Sequence, residues 1–341
     1  MSFSVGIVGL PNVGKSTLFK ALTKKEVKIS PRPFTTISPN IGQVSVPDQR
    51  LNEIANVIKP GKITPTTIEF VDIAGLVKGA HKGEGLGNQF LAHIRNCDAI
   101  LEIIRAFEDL EVENVLGEIN PEKEIETIKV ELLMKDLETL TGLISKLEKK
   151  KDRKTLKKIN FLTKIKESVS QGKQVSELEM TEEERLKIRE YQLLTAKPAI
   201  YLLNTNRETS FPLKIPHLKI NLKEEEETSD LSEREREELE MKSSLDELIA
   251  ACYNILNLIT FFTVARGKET KAWTIERGSK ASETAGKVHS DFEKKFIKAE
   301  IVPWNQLVRV SSWSEARREG LLKIVGKDYI VQDGDVIEFK I

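Results

Sequence analysis

The sequence predicts an α/β fold built around a phosphate-binding loop, and three observations carry that prediction. First, an apolar strand, Val5–Val8, runs directly into Gly9-Leu10-Pro11-Asn12-Val13-Gly14-Lys15-Ser16, and a helical run over Ser16–Leu22 follows. This is G-x-x-x-x-G-K-[ST] in its required strand–loop–helix setting. Second, further short apolar strands are separated by helical segments: Ile41–Val46, Ile68–Val71, Ala99–Ile104, Ala199–Leu203 and Leu218–Asn221. That alternation builds a doubly wound, mostly parallel sheet. Third, the strand Thr67–Val71 ends in Asp72-Ile73-Ala74-Gly75, placing an acidic residue at a strand terminus after the loop.

Bulk properties narrow the class. The chain has 341 residues, enough for two or three domains with separate cores. Lys+Arg and Asp+Glu both number 53, so no global field draws the protein to nucleic acid or membrane, and an electrostatic partner site must be local. Cys97 and Cys252 are far apart, which fits a reducing compartment and argues against a zinc site or a disulfide scaffold. The strand at Phe3–Val8 leaves no room for a signal peptide, and no apolar run reaches the length of a membrane span. The expected location is cytoplasmic.

Between Pro121 and Lys197 the pattern changes. Leu133, Leu137, Leu140, Ile144 and Leu147 form a heptad seam, and Leu156, Ile159, Leu162, Ile165 and Val169 form a second apolar series. Together they predict a helical hairpin inserted before the last strands. Its segment Lys146–Lys166 carries ten Lys/Arg against Glu148 and Asp152. Ser232 to about Leu258 reads as one charged amphipathic helix. Phe261 to Ile341 turns β-rich, with turn signals at Arg266-Gly267, Arg277-Gly278, Val325-Gly326 and Asp333-Gly334.

The chemistry begins at the loop. Its glycines let backbone N–H groups turn inward around phosphates, and the following helix adds its positive dipole end. Lys15 is expected to reach the β- and γ-phosphates, and the Ser16 hydroxyl to ligate magnesium. Asp72 suits the magnesium's outer shell, and the Gly75 N–H suits the γ-phosphate. Pro33-Phe34-Thr35-Thr36-Ile37 offers a further hydroxyl for the metal; Thr36 is favoured, although composition does not choose between it and Thr35. Gly75, Gly79, Gly83, Gly85 and Gly87 make a loop of low intrinsic order, suited to respond to the γ-phosphate. Leu76 stands where Ras-like enzymes place a water-orienting glutamine, so turnover is expected to be slow or to use another group.

After Ala199–Leu203 comes Asn204-Thr205-Asn206-Arg207-Glu208. Guanine-specific relatives have N-K-x-D here; Arg207 stands at the carboxylate position and has donors only. The Asn204 amide is suited to an adenine edge, which favours ATP. Glu208 is the alternative carboxylate if the loop shifts by one residue, and GTP is then the nucleotide.

With these motifs in hand, the chain resembles the YchF/Obg-like ATPases, translation-factor-class P-loop NTPases. The resemblance runs nearly end to end. It rests on Gly9–Thr17, Pro33–Thr36, Asp72–Ala80, Lys82–Asn88, Phe107–Asp109, Asn120-Pro121, Phe261–Val264, Ala272–Ile275, Asp291–Lys294 and Asp333–Asp335. It implies a P-loop nucleotide-binding G domain over 1–120 and 197–258, a helical coiled-coil insertion over 121–196, and a C-terminal TGS domain of β-grasp type over 259–341. It implies slow, magnesium-dependent ATP hydrolysis, ATP preferred over GTP, and association with ribosomes through RNA and ribosomal proteins, without a membrane and as a monomer. Carried onto this chain, Asn12, Val13, Gly14, Lys15, Ser16 and Thr17 would hold the phosphates, Ser16 and Thr36 the magnesium, and Asn204 and Thr205 the adenine. Lys15, Asp72 and Gly75 would serve the chemical step, and the Asn12 carbonyl would help hold an activating K+.

Three departures bear on mechanism. The family's N-x-x-E is interrupted by Arg207, with Glu208 one place late. Thr35 stands where members often carry cysteine. Asn114 replaces a histidine of several bacterial members, and an amide cannot accept a proton at neutral pH. His81 is the alternative base, set against a plain solvated loop residue. Two other functional readings stand beside the ATPase: a guanine-nucleotide switch, and a nucleotide-holding ribosome or RNA adaptor with negligible turnover.

Overall fold

The computed structural model describes residues 3–24, 39–73, 86–109, 111–149, 152–206, 211, 213–229, 231, 235, 243–265 and 268–341. The chain divides into two compact units: Met1–Val44 with Glu69–Leu245, and Ser45–Ile68 with Asp246–Ile341.

The first unit contains a six-stranded sheet of β1 (Ser4–Val8), β2 (Asn40–Ser45), β4 (Thr67–Asp72), β5 (Ala99–Ala106), β6 (Ala199–Thr205) and β7 (Leu218–Ile220). Their order is β2-β4-β1-β5-β6-β7. β1 pairs in parallel with both β4 and β5, and β5–β6 and β6–β7 are also parallel. Each strand lies within one or two residues of its expected bounds, and the central β1 and β5 are the near-continuous apolar runs that a strand buried on both faces requires. Val5, Ile7 and Val8 are fully buried, as is every residue of β5 to within a few per cent. The chain leaves β1 to one side and returns to β5 on the other. Ligands of open α/β sheets bind outside the strand carboxyl ends at such a reversal. Helices α1 (Lys15–Lys24), α3 (Leu86–Arg95) and α7 (Leu222–Thr228) belong to the same unit.

The insertion is a helical hairpin of α4 (Pro121–Leu147) and α5 (Arg153–Ser170), followed by α6 (Glu182–Arg189). Asn120 caps α4 by accepting from the Lys123 amide at 3.1 Å, and Pro121 takes the first-turn position where no amide is needed. Asp152 caps α5 through the Thr155 amide at 2.9 Å. Leu133, Leu140, Leu162, Ile165 and Val169 share one buried core with Leu137, Ile144 and Leu147 at its margin, so the two expected series meet. Leu156 does not join them; it is 53% exposed. Asp136, fully buried on α4, accepts from the amides of Leu194 and Thr195 at 2.8 Å each and from the Thr195 hydroxyl at 2.7 Å. These bonds tie the hairpin to the turn preceding β6.

Of the single helix expected over Ser232–Leu258, residues 232–234 and 236–242 lie outside the described residues, and the part from Leu245 is observed. α8 covers Leu245–Ile255, and Ser243 and Ser244 are not helical. Buried Glu225 of α7 accepts from the Ser243 hydroxyl at 3.0 Å and from the Ser244 amide at 2.7 Å, while the Leu245 amide donates to the Ser243 hydroxyl at 3.3 Å. Serine and a distant carboxylate thus hold the start of α8.

The second unit is built on a six-stranded sheet in the order β11-β10-β12-β8-β9-β3, with β3 (Lys62–Thr64), β8 (Leu258–Ala265), β9 (Glu269–Glu276), β10 (Lys298–Pro303), β11 (Lys323–Val325) and β12 (Asp335–Lys340). β8 and β9 are antiparallel, β12 runs parallel to β8, and β3 parallel to β9. Adjacent residues Phe261 and Phe262 point to opposite faces, and both are fully buried. Phe261 joins a core with Ala281 and Ala285 of α9 (Ala281–Val288), while Phe262 joins one with Leu51 and Ile54 of α2 (Gln49–Ile58) and Leu307 of α10 (Trp304–Val310). The range 1–120 expected for the nucleotide domain therefore includes a segment, Ser45–Ile68, that shares the core of the C-terminal residues. The Arg50 guanidinium reinforces that grouping through Asp48 and Asp333, each at 2.8 Å. Burial alone would lower its pKa, but these two carboxylates hold it above the usual arginine value.

Replacing Asp136 with alanine strips three buried donors of their acceptor and is expected to cost about 3 kcal/mol. Urea unfolding would show a lower midpoint with an unchanged slope.

Candidate active site

The loop between β1 and α1 is shaped by backbone that only certain residues tolerate. Asn12 sits at φ 64° and Gly14 at φ 109°. Asparagine accepts the left-handed region at modest cost; a β-carbon at Gly14 would be strained there. It would also lie 2.5 Å from Nδ2 of Asn204 and 3.1 Å from a Leu222 methyl. Asn204 occupies that space because its Nδ2 donates to the Val13 carbonyl at 2.9 Å, while its Oδ1 accepts from the Leu222 amide at 3.2 Å. The end of β6 therefore braces the loop against the start of α7. Asn12 Nδ2 donates to the Glu113 carbonyl at 3.2 Å, bracing the other side.

Lys15 is buried, and its Nζ donates to the carbonyls of Gly9 at 3.1 Å and Leu10 at 2.7 Å. Burial pulls its pKa down to about 8, against the opposing pull of Asp72 and Glu124. Asp72, at the end of β4, is shifted upward by burial, with the Lys15 charge and a hydrogen bond from Asn40 working against the shift. These residues face a cavity of about 1350 Å³, whose lining includes the loop, Asn40, Asp72, Phe107–Asp109, Val112, Asn204–Asn206 and Asn221.

Asn12, Gly14, Lys15, Ser16, Thr17, Asp72, Asn204 and Thr205 thus line one cavity. Val13 is buried beneath it and contributes its carbonyl to Asn204. Ser16 is exposed at the helix start. Thr36 and Gly75 lie outside the described residues, as do Thr35, Leu76, His81, Arg207 and Glu208. Two residues show where their side-chain amides are engaged. The Asn204 amide, expected on the adenine edge, is engaged on Val13 and Leu222, because the loop's carbonyl and the helix's first amide both need a partner. Asn114 uses its amide locally, donating to the Glu118 carbonyl and accepting from the Leu116 amide, each at 2.9 Å, and so builds a turn.

Sequence reasoning missed Arg105, Glu102 and Glu124. The signal for the first two was present: they are charged residues inside Ala99–Ala106, a strand buried throughout, where charges almost never sit unpaired. Glu124 Oε2 accepts from the Arg105 amide at 3.0 Å. Glu102 is buried, and its Oε1 has no hydrogen-bond partner among the described residues. Burial and the neighbouring Glu124 hold Glu102 well above the usual carboxylate range. Burial likewise pushes Glu124 up to about 7, against the Arg105 amide and the Arg105 and Lys15 charges.

Gly14→Ala is expected to cost about 2 kcal/mol from the strained φ and the clash with Asn204. Combining it with Asn204→Ala, which removes the clashing amide, should give less than the sum of the two losses in thermal unfolding. Glu124 predicts a pH effect of definite sign. Its folded pKa is raised, so the native state holds the proton more tightly than the unfolded chain. Its contribution to stability therefore falls as pH rises from about 4.5 to about 7, by up to about 3 kcal/mol. Glu124→Gln should flatten that part of the stability–pH curve measured by denaturant titration.

Comparison with known proteins places this geometry. A family model described as 50S ribosome-binding GTPase matches residues 4–135, and the YchF-GTPase_C model, described as a protein of unknown function (DUF933), matches residues 258–341. The ribosome-binding ATPase YchF of Bacillus subtilis is 42% identical, with 100% of this chain and 99% of the relative covered. That of Escherichia coli O157:H7 is also 42% identical, with 99% of each covered. The solved structure of the Schizosaccharomyces pombe YchF GTPase superposes with a TM-score of 0.87 at 33% identity, covering 99% of this chain and 98% of that one. With a phosphate loop braced by Asn204 and full-length similarity at this level, the chain belongs to the YchF family.

Proposed function

We propose that this protein is a ribosome-associated ATPase that binds ATP with magnesium, hydrolyses it slowly, and acts as a nucleotide-dependent switch. The observation that carries the reading is the braced loop itself. A strand end, a left-handed glycine and a helix start surround Lys15, and Asp72 faces the same cavity. Backbone amides at a helix N-terminus with one lysine are a site for phosphate. The names of the Bacillus and Escherichia relatives support ATP hydrolysis and ribosome binding.

Magnesium fits the donors present. It is held by one or two protein oxygens together with phosphate oxygens, and the Ser16 hydroxyl and the Asp72 carboxylate line the cavity as hard oxygen donors. Ser16, together with Thr36, would hold the ion, whose chemistry is to neutralise charge on the β- and γ-phosphates. Lys15 would orient the same phosphates, and Asp72 would accept from water bound to the metal. Gly75 would offer its amide to the γ-phosphate. Asn12 to Thr17 form the cradle, and Thr205 lies at the base end. The Asn12 carbonyl oxygen would help hold K+.

The Schizosaccharomyces relative and the N-terminal family are both named as GTPases, which favours a second reading. Calorimetric titration of the full chain with ATP and GTP separates the two, and tighter GTP uptake would reverse the assignment. Lys15→Ala should reduce kcat/KM for ATP by roughly 100-fold; phosphate release equal in the variant and the parent would leave a nucleotide-holding adaptor.

Ribosome contact is proposed through the exposed lysines Lys149, Lys154, Lys157 and Lys158 at the end of the hairpin. Neutralising all four should weaken ribosome co-sedimentation and lower its salt dependence by up to about four counterions. Among the described residues no helix is long and apolar enough to cross a membrane.

A further inference from the structure

The segment following β5 supplies one wall of the cavity through Phe107, Glu108, Asp109 and Val112. Apart from a short turn, its described residues have no helix or strand ladder to satisfy their carbonyls. Instead those carbonyls converge on one side chain. Arg105 Nε donates to Phe107 O at 3.2 Å, Nη1 to Glu113 O at 3.1 Å, and Nη2 to Asp109 O at 3.3 Å and to Val112 O at 2.9 Å. The guanidinium also stacks 4.6 Å from the Phe107 ring centroid. Arg105 is only 3% exposed. The planar five-donor fork of arginine is the side chain that can serve four acceptors from one centre.

This arrangement reaches the phosphate loop. The Glu113 carbonyl that takes Nη1 also takes Asn12 Nδ2. In the sheet Arg105 stands opposite Asn204, which braces the other side of the loop. We infer that Arg105 is a positioning residue for nucleotide binding: through the carbonyls of Phe107, Asp109, Val112 and Glu113 it holds that wall in the shape that closes the cavity and, through the Glu113 carbonyl, sets the Asn12 side chain. The inference rests on the proposed nucleotide site and adds to it a residue that touches no phosphate.

Arg105→Lys keeps the charge but replaces the fork with one ammonium that cannot reach all four carbonyls. In the full chain the expected result is a Kd and KM for ATP raised about tenfold, with kcat within about threefold, because the wall serves ground state and transition state alike. Loss of folded protein would instead lower apparent kcat at unchanged KM. Hydrogen exchange should quicken at residues 107–113 and not in β5. Asn12→Ala combined with Arg105→Lys should lose less affinity than the two single losses predict, since both act through one carbonyl. In the parent protein, ATP should slow exchange at 107–113, a measurement that does not depend on the variant folding. A folded Arg105→Lys protein with Kd within about twofold of the parent, additive losses in the cycle, or exchange at 107–113 indifferent to ATP overturns the inference alone. A parent protein that takes up no ATP overturns the proposed function with it.

Discussion

Between Gly14 and Asn204 lies the contact on which the cavity depends. The loop can turn back toward its own helix because residue 14 has no β-carbon, and the vacated volume is filled by an amide donating to Val13 at 2.9 Å. That amide comes from a residue 191 positions away in the chain. Each such hydrogen bond is worth only about 1 kcal/mol net, but a buried donor or acceptor left without its partner costs more. The brace therefore works chiefly by making other loop conformations expensive.

The charges around the loop follow the same logic. Lys15, Asp72, Glu102 and Glu124 have all been drawn toward neutrality by burial, Lys15 downward and the carboxyls upward. Lys15 keeps its ammonium satisfied on two loop carbonyls, so the side chain is held close to where, in the proposed function, phosphate oxygens replace those carbonyls. An arriving triphosphate and its metal bring the opposite charges that this environment lacks. On that view the cavity is arranged for a highly charged ligand before it meets one.

The second unit shows how far chain order and packing can diverge. Leu51 and Ile54 make an apolar face on α2 that is buried against Phe262 and Leu307, and β3 adds itself to the free side of β9. A sheet whose consecutive residues Phe261 and Phe262 are both fully buried needs cover on both faces. Ser45–Ile68 supplies part of that cover from between β2 and β4, the strands that flank it in the sequence.

The sequence by itself determined the strands of the nucleotide unit, the phosphate loop and the two apolar series of the hairpin. Each of these is a pattern of neighbouring residues acting on local backbone: apolar runs for buried strands, glycine where φ must be positive, and heptad spacing where two helices meet. Only the tertiary structure decided that Asn204 braces the loop, that Arg105 and Glu124 lie together, that Ser45–Ile68 joins the C-terminal core, and that Ser243 and Ser244 are held by Glu225 just before α8. In each case the deciding partner is remote in the chain. A buried amide or guanidinium takes whichever acceptor the fold places within about 3 Å, and local residue spacing carries no record of that.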